Sequence, residues 1–353
     1  MPQQQYIHTS CPICGTAMTY SGGKKALACG KCGYSRPLGR DTDQVAERSM
    51  GAGVSWEGFT RGVGPGISGH QCQTCKASLA TPGDAAPAAC PFCKGGDFAS
   101  IDQHNKVLEP FGIIPFTFPR EQARAKLLGW FRQGWFLPQD LPEAARPERI
   151  HGVYLPFFMV DGFTRSTWKG LTAIMVSELQ KGALVQKEVW DPTVGYYEHF
   201  FDNVLIHLSG AIPEKALQGE MGFNFGQAVA YDPRYLRGWT MELYSKKEQE
   251  GLQAATDVIN KSLTAIIEKK IPGTSHKDLK ITSEQQAVAF RHVLAPVWIA
   301  SYTYRGKRYP FWINGQTGKL IGEKPLSAER VTLAIGIGLI VLTLLVILVR
   351  GVL

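Results

Sequence analysis

No cysteine occurs after Cys93 in this 353-residue chain. The remainder therefore has no thiol for a disulfide or a thiolate metal site. The eight histidines form no HExxH pair, and there is no GxSxG, no Walker A and no strand-borne GxGxxG. Metalloprotease, serine hydrolase, nucleotide-triphosphate and dinucleotide chemistry thus have no motif to rest on. Charged residues are sparse, at 19%. The opening MPQQQYIHTS has neither a basic stretch nor an apolar one, so no secretory signal is readable. With Gly 38 and Pro 21, ordered modules joined by turn-rich connections are expected rather than general disorder.

What the chain does have is concentrated at its two ends. Cys11, Cys14, Cys29 and Cys32 follow the pattern C-x2-C-x14-C-x2-C, and Cys72, Cys75, Cys90 and Cys93 repeat it with the same spacer. Two residues between thiolates let one tight loop aim both sulfurs the same way, and two such loops complete a tetrahedron. The spacing predicts two zinc ribbons, each with a hairpin arm whose tip is Ser21-Gly22-Gly23 or Thr81-Pro82-Gly83-Asp84. Two structural Zn2+ are expected, since four thiolates leave no open position for a water. Iron fits the same ligands. A disulfide framework is the alternative; CxxC pairs suit metal better than structural disulfides.

The formal net charge of +8 counts thiols as neutral. Two four-thiolate sites, about −2 each, reduce it to about +4. Lys24, Lys25, Lys31, Arg36 and Arg40 still give the first ribbon a basic face, the basis for an alternative reading as a nucleic-acid binder. Aromatics for base stacking are few there, and a protein-docking role is the leading expectation. Between the ribbons, GAGVSWEGFTRGVGPGISG reads as a flexible joint that Trp56 and Phe59 could dock.

At the other end, VTLAIGIGLIVLTLLVILV, residues 331–349, is uncharged. At 1.5 Å per residue it spans about 28 Å, close to the hydrocarbon thickness. A buried core helix is seldom apolar all round for five turns. A single C-terminal transmembrane anchor is therefore expected. Lys319, Lys324 and Arg330 precede it against Arg350 after it, and reduced thiols need a reducing compartment, which together place the body in the cytoplasm. Ala334 and Gly338 form a small-xxx-small pair that could support a homo-oligomer.

Residues 100–330 read as a mixed α+β body with antiparallel sheets. TFPREQARAKLLGWFRQGWF predicts an amphipathic helix with Thr117 as cap and with Ala123, Leu127, Trp130 and Phe131 on one face. Residues 245–271 predict a longer helix burying Leu252, Ala255, Ile259, Leu263, Ile266 and Ile267. GVYLPFFMVDGFTRSTWKGL resembles HVLAPVWIASYTYRGKRYPFWI at an offset of 140, matching Pro156 to Pro296, Phe158 to Trp298 and Arg165 to Arg305. Both read as hairpins, and a duplicated unit, about 110–240 and 245–325, is expected. Asn314-Gly315 and Thr317-Gly318 predict a further turn. The densest polar cluster, Glu198, His199 and Asp202, reads as a satisfied patch rather than a catalytic set, and no enzyme activity is expected. The resulting organisation is ribbon 1 (1–40), linker (41–69), ribbon 2 (70–99), body (100–330) and span (331–349).

The CxxC pairs, GWFRQGWFLPQDL, GVYLPFFMVDG, YEHFFDNVLIHLSG, YLRGWTMELY and LAPVWIASYTYRGKRYPFWINGQTGKLIGEKP, followed by a terminal span, together resemble a bacterial family of zinc-ribbon membrane proteins. Its members often carry the automatic names TFIIB-type zinc ribbon-containing protein or primosomal protein N′-like. The resemblance covers nearly the whole chain. It implies association with PspA-type and SPFH (flotillin-like) scaffolds at stressed membranes, and so an adaptor role on the bacterial cytoplasmic membrane. It offers no catalytic residue to carry over.

Overall fold

The computed structural model describes residues 10–38, 48–49, 62–64, 66–102, 109–147, 150–180, 183–210, 212–213, 221–243 and 248–352. Along the chain, β1 (Thr19–Ser21), β2 (Ala26–Ala28) and β3 (Ser35–Pro37) form a small antiparallel sheet of their own. Next come β4 (Ile67–Cys72), β5 (Ser78–Pro82) and β6 (Phe98–Ile101). Two helices follow, α1 (Arg120–Trp130) and the single turn α2 (Leu141–Ala144). The body then consists of β7 (His151–Gln180), β8 (Ala183–His207), β9 (Thr240–Glu242), α3 (Glu248–Lys270), β10 (His276–Tyr304), β11 (Lys307–Asn314) and β12 (Leu320–Gly322). The last element is α4 (Ala328–Val352). This is the mixed architecture with antiparallel sheets that the patterning predicts.

Strand β7 organises the molecule. It pairs antiparallel with β10 along one edge, from His151↔Ile299 to Thr172↔His276, and with β8 along the other, from Phe157↔His207 to Gln180↔Ala183. Its first ten residues, HGVYLPFFMV, are nearly all apolar because both faces are covered there. Val153, Leu155, Phe157 and Met159 pack with Val293, Ala295, Val297, Ile299 and Trp312. On the opposite face Tyr154 joins Phe116, Leu294 and Trp298 in the main core. Beyond Asp161 only one face is covered, and the sequence changes to alternation: Thr164 and Ser166 point inward, Arg165 and Thr167 outward. Helix α3 provides that cover, with Ala255 against Phe158 and Phe290, and Leu263 and Ile267 against Trp168, Tyr197 and Phe201. Each fully buried aliphatic contributes roughly 1.5–3 kcal/mol.

The switch from one regime to the other coincides with a bulge between Val160 and Gly162. Asp161 is buried there; it accepts from the Asn203 amide at 2.8 Å and lies 3.4 Å from Arg291 Nη2, which also donates to Asn203 Oδ1 at 2.6 Å. Asn203 has φ 57°, a left-handed conformation that Asn tolerates better than most residues. The cluster thus ties β7, β8 and β10 together where the long strands leave the core. Past Thr172 β10 has ended, and β7 and β8 continue alone as a two-stranded arm. Eight residues of β7, Ala173 to Gln180, carry it out by about 26 Å.

Several expectations need correction. Residues 152–171 form one uninterrupted stretch of β7, not a hairpin, whereas the matched stretch does turn, at Arg305 (φ 49°) and Gly306 (φ 77°). A two-residue turn of this kind needs positive φ at both positions; Gly306 supplies one at no steric cost, and Arg165-Ser166 has no glycine. Thr117 does not cap α1. Its hydroxyl donates to the carbonyls of Gly315 (3.1 Å) and Gln316 (2.7 Å), tying the helix entry to the turn after β11. Elsewhere Ala123, Leu127 and Phe131 are buried with Trp130 half-buried, and Ala255, Ile259, Leu263 and Ile267 are buried with Ile266 half-buried, while the Leu252 side chain lies outside what the structure describes. Asn314 Oδ1 accepts from the amides of Gln316 (2.8 Å) and Thr317 (2.9 Å), which closes the β11–β12 turn.

Helix α4 is long and apolar enough to cross a membrane over Ala328–Ile347, and that stretch is not buried against the rest of the chain. Its start is clamped to the loop after α1. Ser327 N donates to the Phe136 carbonyl (2.8 Å), and Arg330 Nη1 to the Trp135 carbonyl (2.5 Å).

Candidate metal centres

The four CxxC loops are built alike. In each, the amide of the first cysteine donates to the carbonyl five residues on: Cys11 to Thr16, Cys29 to Tyr34, Cys72 to Ala77 and Cys90 to Gly95, at 2.8 to 2.9 Å. The first cysteine's carbonyl accepts from the amide four residues on, which belongs to Gly15, Gly33, Lys76 and Lys94 in turn. That fourth residue must turn left-handed, and φ is 71°, 77°, 62° and 70° respectively. Glycine suits this position without strain; the two lysines of the second module adopt it despite a Cβ.

These loops converge in two sets, Cys11, Cys14, Cys29 and Cys32, and Cys72, Cys75, Cys90 and Cys93, with the four Sγ of each set within 4.8 Å of one another. The pairs Cys11–Cys32 (3.3 Å), Cys14–Cys29 (3.5 Å), Cys72–Cys93 (3.5 Å) and Cys75–Cys90 (3.7 Å) are far too long for S–S bonds. A tetrahedral ion with metal–sulfur bonds of about 2.3 Å would hold its sulfurs about 3.8 Å apart, so the cages fit such an ion. In both sets the first cysteine of each loop is buried, while the second is more open. The Thr16 hydroxyl and amide pull the Cys14 thiol down to about 6. Burial pushes Cys72 up, but the amides of Cys75 and Thr74 outweigh it and leave the thiol lowered to about 6. These two shifts favour the thiolate, whereas burial pushes Cys75 and Cys90 up and Cys32 is raised as well, so the fit to a metal rests on the geometry of the cages. Among the described residues these are the groups arranged to hold a metal, and they match the expected ligands one for one.

The surroundings of the two centres differ. In the first module the spacer folds back as expected, Thr19–Ser21 pairing with Ala26–Ala28. In the second, β5 does not pair with a returning arm; it pairs with β4, which precedes the first cysteine loop, and with β9 of the body. Pro82, the last residue of β5, and Pro87 each remove one ladder donor from the spacer, which disfavours a returning strand. The second module is therefore continuous with the main sheet through Met241↔Ala80 and Glu242↔Leu79. The first is docked by side chains: Tyr20 packs edge-on to Tyr235 at 5.0 Å, and Trp239 adjoins its core. Of the linker expected over 41–69, Arg48–Ser49 pair with β10 and Ile67–Gly69 open β4, so these described parts belong to sheets. Trp56 and Phe59 lie outside the described residues.

Lys24, Lys25, Lys31 and Arg36 are all exposed on the first module, and Arg40 lies outside the described residues. Lys24 and Lys25 sit in the turn whose Gly22 touches Phe116 of the body. The cluster of Glu198, His199 and Asp202 does not converge. The Tyr196 hydroxyl, and after it Arg165 at 3.0 Å, hold the Glu198 carboxyl below the usual range, whereas His199 lies on the other face between Tyr197 and Phe201. The pattern did not reveal how much apolar surface the arm exposes: Met175, Leu179, Leu184 and Val185 all stand open to solvent. Reading the stretch as short strands hid this, although its run of β-branched and aliphatic residues without a covering helix was a usable signal.

No family model and no solved structure matches the chain. It is 25% identical over 231 residues to Uncharacterized protein YdjG of Bacillus subtilis (strain 168). The similarity covers 64% of this chain and 66% of that protein, just under two thirds of its length.

Proposed function

We propose that the chain is a membrane-anchored adaptor that docks a partner protein through its β-arm, with two zinc ribbons as fixed structural parts. The observation that carries this is the arm itself. Ile174, Val176 and Val189 lie on one face of the ribbon and Met175, Leu179 and Leu184 on the other; all are exposed, and no other element of the described residues covers them. Apolar surface held out from the core at such an expense of exposure marks a binding site more often than chance. The closed four-thiolate cages support a structural role for the metal, and reduced thiols support a cytoplasmic body beneath the anchor.

The family resemblance directs the partner class to SPFH/flotillin-like or PspA-type scaffolds. The arm's pairs of exposed aliphatics suit such an assembly, because a strand edge and an apolar face can both be added to. A duplicated origin for the body agrees with the register: Leu155 pairs with Ala295, the residue 140 positions on, so offset and pairing share one centre.

Affinity purification of the full chain from mild detergent, with mass spectrometry and metal analysis, tests the proposal. Two zinc ions per chain and a recovered protein partner are expected. Replacing residues 174–189 by Asn-Gly, which closes the arm at the Ala173↔Trp190 pair, should abolish recovery. Equal recovery with the shortened arm, or no partner with the intact one, overturns it.

A further inference from the structure

A cavity of about 610 Å³ lies where the body meets the first turn of α4. Its walls include Asp140, Tyr304, Arg305, Lys307, Tyr309 and Arg330. Three cations thus face one space, against the carboxylates of Asp140 and Glu329. Asp140 is already engaged: it accepts from the Tyr304 hydroxyl at 2.8 Å and from Arg305 Nη2 at 3.2 Å. That contact fixes the guanidinium and leaves its other N–H groups for a ligand. Lys307 stacks its ammonium over the Tyr309 ring, 5.1 Å from the centroid, and among the described residues no carboxylate pairs with it. Arg330 is held by the Trp135 carbonyl and likewise has no carboxylate partner among them.

The position of the cavity identifies what reaches it. The apolar run of α4 begins directly after Arg330, so the cavity sits at the level where that helix would enter a bilayer. Trp135 and Phe136, clamped to the same turn, are 53% and 44% exposed, and Leu326 on the rim is 67% exposed. Aromatics at the start of a span are the side chains that settle at the headgroup level. A fixed guanidinium, an ammonium with no carboxylate partner among the described residues and a second guanidinium beside an apolar rim match a phosphate attached to an acylated glycerol.

We propose that this cavity binds the phosphate of a phospholipid headgroup. The proposal rests on the membrane placement of α4 that the adaptor reading also takes, and not on the docking of a partner by the arm, so the lipid site and the docking site can each fail alone. Native mass spectrometry of the full chain in mild detergent, with phosphatidylglycerol added, tests it. One retained lipid per chain is expected. Lys307→Gln, which breaks no ion pair, should weaken retention about tenfold, and Arg305→Asn with Lys307→Gln about a hundredfold. Asparagine is chosen because residue 305 is left-handed. Lys187→Gln on the arm should change nothing. Equal retention by the cavity variants overturns the site. Equal retention of diacylglycerol, which lacks the phosphate, overturns the chemistry, and displacement of the lipid by inorganic phosphate alone assigns the site to a free anion and overturns the lipid.

Discussion

The indole N–H of Trp239 donates to the backbone carbonyl of Tyr20 at 3.0 Å. The Tyr20 amide donates back to the Arg237 carbonyl at 2.9 Å, and the Trp239 ring stacks on Phe116 with centroids 4.1 Å apart. A residue of the body thus completes the hydrogen bonding of the first cysteine module while its ring belongs to the central aromatic cluster with Trp298. Module and body share one side chain, and the stability of each is coupled to the other.

That coupling is measurable. Trp239→Ala removes the ring and the donor together and should cost about 3 kcal/mol, the low end for a buried tryptophan because this one is half-buried. Trp239→Phe keeps most of the ring and should cost about 1 kcal/mol, the worth of one hydrogen bond. Thermal unfolding reads both. Chelator-driven metal release should quicken at the first centre in Trp239→Ala and stay unchanged at the second.

A second contact in the same seam is steric. A Cβ on Gly22 would lie 2.5 Å from the Phe116 carbonyl oxygen, a backbone atom that cannot swing aside. Gly22→Ala should therefore lever the β1–β2 turn off the body and cost about 1–3 kcal/mol, as overpacking does elsewhere. Gly30→Ala in the same module, where a Cβ meets nothing within 4 Å, is the control and should leave the melting temperature close to wild type.

How far the sequence revealed these features depends on whether the cause was local. The cysteine loops were legible because their chemistry is contained in six residues, and all four came out alike. The helices over 120–130 and 248–270 were legible because their apolar period is sustained. The hairpin expected near Arg165 failed for want of one glycine, since a matched apolar pattern says nothing about the turn between strands. The length of β7 depends on neighbours far along the chain, β8 on one side and β10 on the other, and on the α3 cover. The cavity beside Arg330 gathers residues 138–140, 304–309 and 325–330, which only the fold brings together.

The Asp140 contact makes a pH prediction. The Tyr304 hydroxyl, and after it Arg305, hold the Asp140 carboxyl below its ordinary value of 3.8. A carboxyl lowered in the folded state stabilises above its unfolded value, and that stabilisation is lost as pH falls toward the folded one. The melting temperature should therefore decline more steeply below about pH 4 in wild type than in Asp140→Asn, with the curves parallel above pH 5. Parallel curves throughout the acid range would show that the carboxyl is not held in this way.

The two metal centres should not be equivalent for the body. Cys72 and Cys90 are fully buried, and the strands around them are part of the main sheet: β5 pairs with β9, and β9 runs parallel to β7 through Val153↔Thr240 and Tyr154↔Met241. Loss of the ion there frees β4 and β5 and exposes the edge that supports β9 and the start of β7. The first centre has its own three-stranded sheet and meets the body through side chains, one backbone hydrogen bond and the Trp239 indole, so its loss reaches the body only through that seam. Cys72→Ser with Cys75→Ser should consequently lower the melting temperature of the body by more than about 5 °C, while Cys11→Ser with Cys14→Ser lowers it by about 2 °C or less. The near-ultraviolet circular dichroism of the Phe116, Tyr154 and Trp298 cluster monitors the body in both variants, and metal analysis verifies that one ion per chain remains. If the two double variants melt alike, the continuity of β5 with β9 does not transmit stability, and the second module is an appendage as independent as the first.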